Sequence, residues 1–408
     1  MIQSKSPEGL SYVIKRSAGK AACCSISVKC GTRAEAELPE GIAHFLEHCL
    51  FKGTMHKSST SINSILDKLG GELNAYTTKE EIVLHSTTLK DDIKKAVELL
   101  LEIANEATFP EEEIEIEKGV VIDEIISYKD SPSEDIFDHF ESLFFEGHPL
   151  GRLTLGTVDS VKNIRREDLL TFYHRYFKAS SMVLSIVADE KEEKLEKMLL
   201  AASKKFLEKS EENQDFEKQY PPMGRHFSIR EDKGNHEVNL ILGSMAPSLY
   251  DQEQRLATVL LCNILGGPAS NSLLNAQLRE KHGWVYASEC NYNQYSDAGL
   301  VCISIGCEKD NLNNCLKSIS NILERLKSKT LSPKFLKAAK KQLLGQLAIS
   351  SDSKETQCLA MGKNILAYGK LISDEESIAM LERVSGEDIR ALAQRLWDEN
   401  NISQLIYF

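Results

Sequence analysis

Alternating apolar and polar positions open the chain. Leu10-Ser11-Tyr12-Val13-Ile14 and the run over 22–29 read as paired strands, the second ending at Cys30-Gly31-Thr32. The spacing predicts a helix over 62–69, stopped by Gly70-Gly71 and followed by a strand through Ala75-Tyr76. An amphipathic helix is predicted over 91–106. Val161-Lys162-Asn163-Ile164 and Arg166-Glu167-Asp168 then precede a helix and a last strand over 182–187.

The same order recurs in the second half. A strand at 226–230, a charged turn and Val238-Asn239-Leu240-Ile241-Leu242-Gly243 repeat the opening. A helix over 269–281, Gly283 and a strand through Tyr286-Ala287 match the next elements. The amphipathic stretch 310–327, the Val384-Ser385-Gly386-Glu387-Asp388 lead-in and the final strand 403–408 complete the repeat. Each half is therefore strands followed by long helices, an α+β pattern in which helices cover one sheet. The expectation is two homologous domains, residues 1–205 and 222–408, each an antiparallel-rich sheet packed against long helices. The polar stretch 203–223, ending in Pro221-Pro222, reads as the link.

Composition narrows the class. The chain has 408 residues and is 42% hydrophobic, enough for two packed cores. Its net charge of −12 argues against a nucleic-acid partner. No apolar run approaches the roughly 18 residues of a membrane helix, so no membrane partner is expected. The N-terminus lacks the apolar core of a signal peptide. The ten cysteines form no C-x-x-C pair, and Cys23, Cys24, Cys30, Cys262, Cys302 and Cys358 sit in apolar or strand-like surroundings. Read as buried free thiols, they lead to the expectation of a reducing cytoplasm.

His44-Phe45-Leu46-Glu47-His48 is the feature with most chemistry in it. Helical residues advance about 100° each, so His44 and His48 fall on one face a turn apart, with Glu47 beside them. Two neutral imidazoles there can hold one Zn²⁺, and the carboxylate is placed to move a proton at the same spot. The order H-x-x-E-H is an inverted metallopeptidase signature. A third ligand has to come from elsewhere. In the acidic segment 109–128, Glu111, Glu112, Glu113 and Glu115 read as a solvated helix start. Glu124 lies among Val120, Val121, Ile122, Ile125 and Ile126, where a carboxylate needs a partner. Glu117 sits two turns earlier on the same face. Cys49 follows His48 but rotates away from His44, and is read as outside the ligand set.

These motifs together resemble the pitrilysin family of zinc peptidases, which includes insulin-degrading enzymes, mitochondrial processing peptidases and many short bacterial homologues. The H-x-x-E-H run and the glutamate pair match that family. So do Gly70-Gly71-Glu72-Leu73-Asn74-Ala75-Tyr76-Thr77, Asp130-Ser131-Pro132 and Leu278-Arg279-Glu280-Lys281-His282-Gly283-Trp284-Val285-Tyr286. Trp284 stands where a smaller apolar residue is usual. The resemblance implies a zinc-dependent endopeptidase with one Zn²⁺ per chain, held by His44, His48 and Glu124. It implies that Glu47 is the general base and that Glu117 orients a ligand or shares the proton network. It implies a substrate-binding edge strand at Asn74, Ala75 and Tyr76, and a substrate-binding pair, Arg279 and Tyr286. Where the first half carries H-x-x-E-H, the second runs Leu260-Leu261-Cys262-Asn263-Ile264-Leu265, so zinc is expected in the first domain only.

The resemblance also bears on partners. Unstructured peptides are the expected substrates. Long family members place four such domains in one chain; short ones close the shell as dimers, so a homodimer is expected. One alternative is the catalytic half of a heterodimeric processing peptidase. Another is a non-catalytic scaffold like the respiratory core proteins, though such subunits typically lose the zinc ligands that this chain keeps.

Overall fold

The structure, a computed structural model, describes residues 1–210 and 222–408. In the first half the strands are β1 (Ile2–Lys5), β2 (Ser11–Arg16), β3 (Ala21–Val28), β4 (Glu72–Thr77), β5 (Ile82–Leu89) and β6 (Met182–Ala188). The helices are α1 (Ile42–Leu50), α2 (Ser59–Asp67), α3 (Ile93–Glu106), α4 (Glu111–Lys129), α5 (Pro132–Phe144), α6 (Val158–Asn163), α7 (Arg166–Tyr176) and α8 (Glu192–Phe206). The second half adds β7 (Ser228–Glu231), β8 (Glu237–Ala246), β9 (Val285–Gln294), β10 (Gly299–Glu308) and β11 (Ser403–Tyr407). Its helices are α9 (Gln252–Gly266), α10 (Leu312–Ser328), α11 (Pro333–Ser350), α12 (Lys354–Tyr368), α13 (Asp374–Arg383) and α14 (Gly386–Leu396).

The first sheet runs β1-β2-β6-β3-β5-β4, the second β7-β11-β8-β10-β9. Only β2–β6 and β7–β11 pair in parallel; the other neighbours are antiparallel. The two orders superpose element for element apart from β1, so the internal repeat is a repeat of topology. In both, the strand after the second helical segment ends up at the sheet edge: β4 in one and β9 in the other. The counterpart of α2 differs from expectation. A π-helical segment, Asn275–Glu280, occupies only the later part of the helix expected over 269–281. At its first residue Asn275 donates back to Gly267 O and Ser272 Oγ, so its side chain organises the preceding loop where helical turns were expected.

The compact units are not the two continuous halves. One comprises 1–126, 152–210 and 349–372; the other 127–151, 222–348 and 373–408. The first unit takes α12 from late in the chain, and the second takes α5 from early in it. Period-two alternation in β3 shows why the first unit has room for a helix. Ala22, Cys24, Ile26 and Val28 face the main core, while Cys23, Ser25 and Ser27 face the other way. That second face looks half-polar and solvent-ready, yet Cys358, Met361 and Ile365 of α12 cover it. Small groups let the helix come close: a Cβ on Gly362 would stand 2.9 Å from Ser27 Oγ and 3.1 Å from Ser185 Oγ. In the second unit the arrangement is reversed. Ile136, Phe140 and Phe144 of α5 pack on Ile241, Leu405 and Tyr407, and the glycine is on the strand. A Cβ on Gly243 would lie 2.5 Å from Phe140 Cζ.

Of the link expected over 203–223, residues 203–206 close α8; 211–221 lie outside the described residues. All ten cysteines are buried and free, Cys49 among them. No helix among the described residues is long and apolar enough to cross a membrane.

Candidate metal and active site

α1 is nine residues long and amphipathic. Ile42, Ala43, Phe45, Leu46, Cys49 and Leu50 are wholly buried, which leaves His44, Glu47 and His48 on the remaining face. Its start requires a glycine: Gly41 sits at φ 84°, and a Cβ there would meet Leu155 O at 2.6 Å. The two imidazoles stand edge to face with ring centroids 4.7 Å apart. α4 presents Glu124 to them: Oε1 is 3.8 Å from His44 Nε2, and Oε2 is 3.5 Å from His48 Nε2. One donor atom from each of His44, His48 and Glu124 lies within 4.8 Å of the others. Among the described residues they are the one group of this kind.

Two departures from the sequence argument stand out on α4. The buried face is Ile114, Glu117, Val121 and Ile125, whereas Val120 and Ile126 are exposed. The Glu124 side chain is 43% exposed, so it lies at the margin of the core and not within it. The buried carboxylate is Glu117, at 4% exposure. Its Oε1 pairs with His48 Nδ1 at 2.8 Å, and its Oε2 lies 2.5 Å from Lys52 Nζ, which follows the end of α1. A carboxylate on Nδ1 fixes the ring and leaves Nε2 for a metal.

The charges fit a metal site. Burial, with the neighbouring charge of His48, holds the His44 pKa down at about 4, so its imidazole is neutral as a ligand must be. Burial opposes charge on His48 as well, but hydrogen bonds to Glu117 and Glu124 outweigh it and raise that pKa to about 9. A cation in the pocket would take the place of that proton. Burial raises the pKa of Glu117, but His48 and Lys52 override it and hold the carboxyl below the usual range. Two nitrogens and a carboxylate oxygen, one of them open to solvent, suit Zn²⁺ with a position left for water.

Glu47 is aimed at the sheet edge. Its Oε2 accepts a hydrogen bond of 2.5 Å from Thr77 Oγ1, at the end of β4. Burial raises the Glu47 pKa against the opposing effect of that bond. On β4, Leu73 and Ala75 pack toward the core, and Asn74 and Tyr76 point the other way. Tyr76 sits beside His85, ring centroids 6.2 Å apart, and Asn74 is exposed. β4 pairs with β5 in the register Asn74↔His85, Ala75↔Leu84, and is the last strand of its sheet. Thr77 and Lys52 are residues that motif reading passed over. Thr77 closes the quoted G-G-x-x-N-A-x-T run and carried the signal.

Arg279 and Tyr286 lie together in the second unit. Both line a groove of about 680 Å³ along the edge strand β9, with Asn275, Ser288 and Tyr292. Arg279 is on the π-helical segment, and Gly283, at φ 61°, turns the chain from there into β9. Tyr286 is 54% exposed and donates to Glu308 Oε1 at 3.0 Å. Trp284 is not part of the groove lining; it stacks on His282 at 4.0 Å and packs on the unit's core.

Comparison with known proteins agrees with this geometry. Residues 12–158 match the insulinase (peptidase family M16) profile, and residues 163–343 match the peptidase M16 inactive domain. A protein of Rickettsia bellii (strain RML369-C), named an uncharacterized zinc protease, is 30% identical over 384 residues, covering 94% of this chain and 91% of that one. The uncharacterized zinc protease YmxG of Bacillus subtilis (strain 168) is 30% identical over 387 residues, covering 94% and 92%. In fold, a crystal structure of a protease from Helicobacter pylori aligns with a TM-score of 0.91 at 19% identity, covering 100% of this chain and 98% of the other. The chain belongs to peptidase family M16, the insulinase family.

Proposed function

We propose that the chain is a zinc-dependent endopeptidase that hydrolyses unstructured peptides. The observation that carries this reading is the junction of a metal-type donor set with a sheet edge: His44, His48 and Glu124 stand together, and Glu47, on the same helix as the two histidines, is tied to β4 through Thr77. Zinc relatives about 30% identical over most of the chain support the metal.

His44, His48 and Glu124 would hold the ion, which when bound polarises a peptide carbonyl and makes a water more acidic. Glu47 takes the proton of the attacking water on its carboxylate and returns it to the leaving amine. Burial raises its pKa above the ordinary carboxylate value, the direction that favours taking up that proton. Glu117 orients His48 through Nδ1. The free edge of β4, at Asn74, Ala75 and Tyr76, takes an extended substrate by backbone hydrogen bonds, which favours unfolded peptides and is tolerant of sequence. Arg279 and Tyr286 are the substrate-binding pair, Tyr286 donating its hydroxyl to developing negative charge.

The test is Glu47→Gln. It keeps shape and leaves the donors in place, so zinc content and peptide binding should stay while turnover falls by about 10²–10⁴-fold. Appreciable hydrolysis by that variant would place the base elsewhere. Loss of zinc from Glu124→Gln, read by metal analysis, tests the third ligand.

A further inference from the structure

The helix that carries the H-x-x-E-H residues has no capping side chain of its own. Its N-cap is Gly41, yet the amides of its first turn need acceptors. One comes from before the cap: Glu35 Oε1 accepts from Ala43 N at 3.2 Å. A capping oxygen ordinarily belongs to the N-cap residue and takes the amide two or three positions on. Here a residue upstream takes the second amide, next to His44.

Glu35 is fully buried, at 0% exposure. Its Oε2 lies 3.4 Å from Arg152 Nη1. Arg152 also donates to Ala36 O at 2.6 Å and Leu38 O at 3.4 Å, and its own carbonyl accepts from Lys79 Nζ. Thr32 N and Arg33 N bond to Thr78 O and Lys79 O, at 3.2 and 2.9 Å. Three stretches are therefore tied together around Glu35: its carboxyl group joins the start of α1 to Arg152, and the turn that follows Thr77 bonds to Arg152 O and to the Thr32 and Arg33 amides. A carboxyl buried this deeply weakens a fold relative to an apolar side chain unless its hydrogen bonds do what an apolar group cannot.

We propose that Glu35 is a positioning residue for the metal site, capping α1 in place of the missing N-cap side chain and, through Arg152 and the Thr78-Lys79 turn, fixing Glu47 against Thr77. This rests on the zinc peptidase reading. Glu35→Gln keeps an oxygen for Ala43 N. It also matches the protonated side chain, the form burial favours by raising the Glu35 pKa to about 8. Glu35→Ala keeps neither oxygen, and Arg152→Met removes the anchor.

The readouts are the zinc dissociation constant of the full chain, by competition with a chromogenic chelator, and kcat and KM on an unstructured peptide. Glu35→Ala should bind zinc about 10–100-fold more weakly, as loss of a support for a ligand does. Its kcat should fall with KM nearly unchanged. Glu35→Gln should stay close to the parent on all three, and Arg152→Met should fall between. Wild-type zinc affinity and kcat in Glu35→Ala overturn the proposal, as does Glu35→Gln impaired equally with Glu35→Ala. If Glu35→Ala does not fold, Arg152→Met decides: parental values in it overturn the proposal. A parent chain that binds no zinc defeats the zinc reading instead. The cap is then tested by hydrogen exchange at the Ala43 amide, which should quicken in Glu35→Ala and not in Glu35→Gln; equal rates in both overturn it.

Discussion

Glu47 depends on a neighbour that no helical spacing reveals. Thr77 reaches it from a strand 30 positions away, at 2.5 Å. Thr77→Val keeps the β-branched shape and removes the donor, so zinc content should be unchanged while kcat falls by about tenfold, the scale of one charged hydrogen bond. Unchanged kcat would show that Glu47 holds its place without it. A second expectation concerns Glu35, whose ordinary carboxyl pKa of 4.5 is raised by burial to about 8. Between those values the folded chain binds this proton more tightly than the unfolded chain. The stability it contributes is complete below the unfolded value and is lost as pH rises through the folded one. Glu35→Gln does not titrate, so its Tm relative to the parent should climb between about pH 5 and 8; a constant difference would refute the shift. At this scale the sequence exposed what one helix arranges. His44, Glu47 and His48 follow from the turn of α1, and Glu117 and Glu124 from that of α4. What helical spacing did not reveal were partners from beyond α1 and α4: Thr77, Lys52 and Glu35. The sequence overstated only the burial of Glu124, because apolar neighbours in sequence lie on several sides of a helix, and Val120 and Ile126 here face solvent.

Many elements were legible because their periodicity is local: β2, β3, β4, β6, β7, β8, β9 and β11 and helices α3 and α10 lie within a few residues of where alternation and amphipathicity put them, whereas β1, β5 and β10 were not read from the sequence. The exchange of α5 and α12 was not, because it depends on which sheet face is left uncovered. Ser25, Ser27 and Ser185 carry no sequence signal for a covering helix, yet they are the small groups that admit Gly362. The exchanged helices should therefore be structural members of the units they cover. Phe140→Ala empties the space against Gly243 and should destabilise by about 3–5 kcal/mol, read by denaturant or thermal unfolding. Gly362→Val overfills the other unit and should destabilise by about 1–3 kcal/mol. Near-zero changes in both would mean that α5 and α12 contribute little to those faces.

At the scale of the whole molecule, the candidate residues divide between the units: the donor set and Glu47 in one, Arg279 and Tyr286 in the other. The resemblance to short family members, which close as dimers, leads to the expectation that the chain is a homodimer whose Arg279/Tyr286 pair serves its partner's zinc. Tyr286→Phe alone should then lower turnover by about 10²-fold if its hydroxyl donates to an oxyanion. Two dead parents make the sharper test. One is Glu47→Gln; the other combines Arg279→Ala with Tyr286→Phe. Mixed under conditions that let subunits exchange, about half of the dimers would be hybrids. Each hybrid would join an intact donor set on one chain to an intact Arg/Tyr pair on the other, at one of its two sites. Roughly a quarter of normal activity should return. If the pair served its own chain's zinc, each site in a hybrid would still lack one component. Proven exchange without recovered activity would therefore refute the cross-subunit arrangement and leave the chemistry of His44, Glu47, His48 and Glu124 untouched.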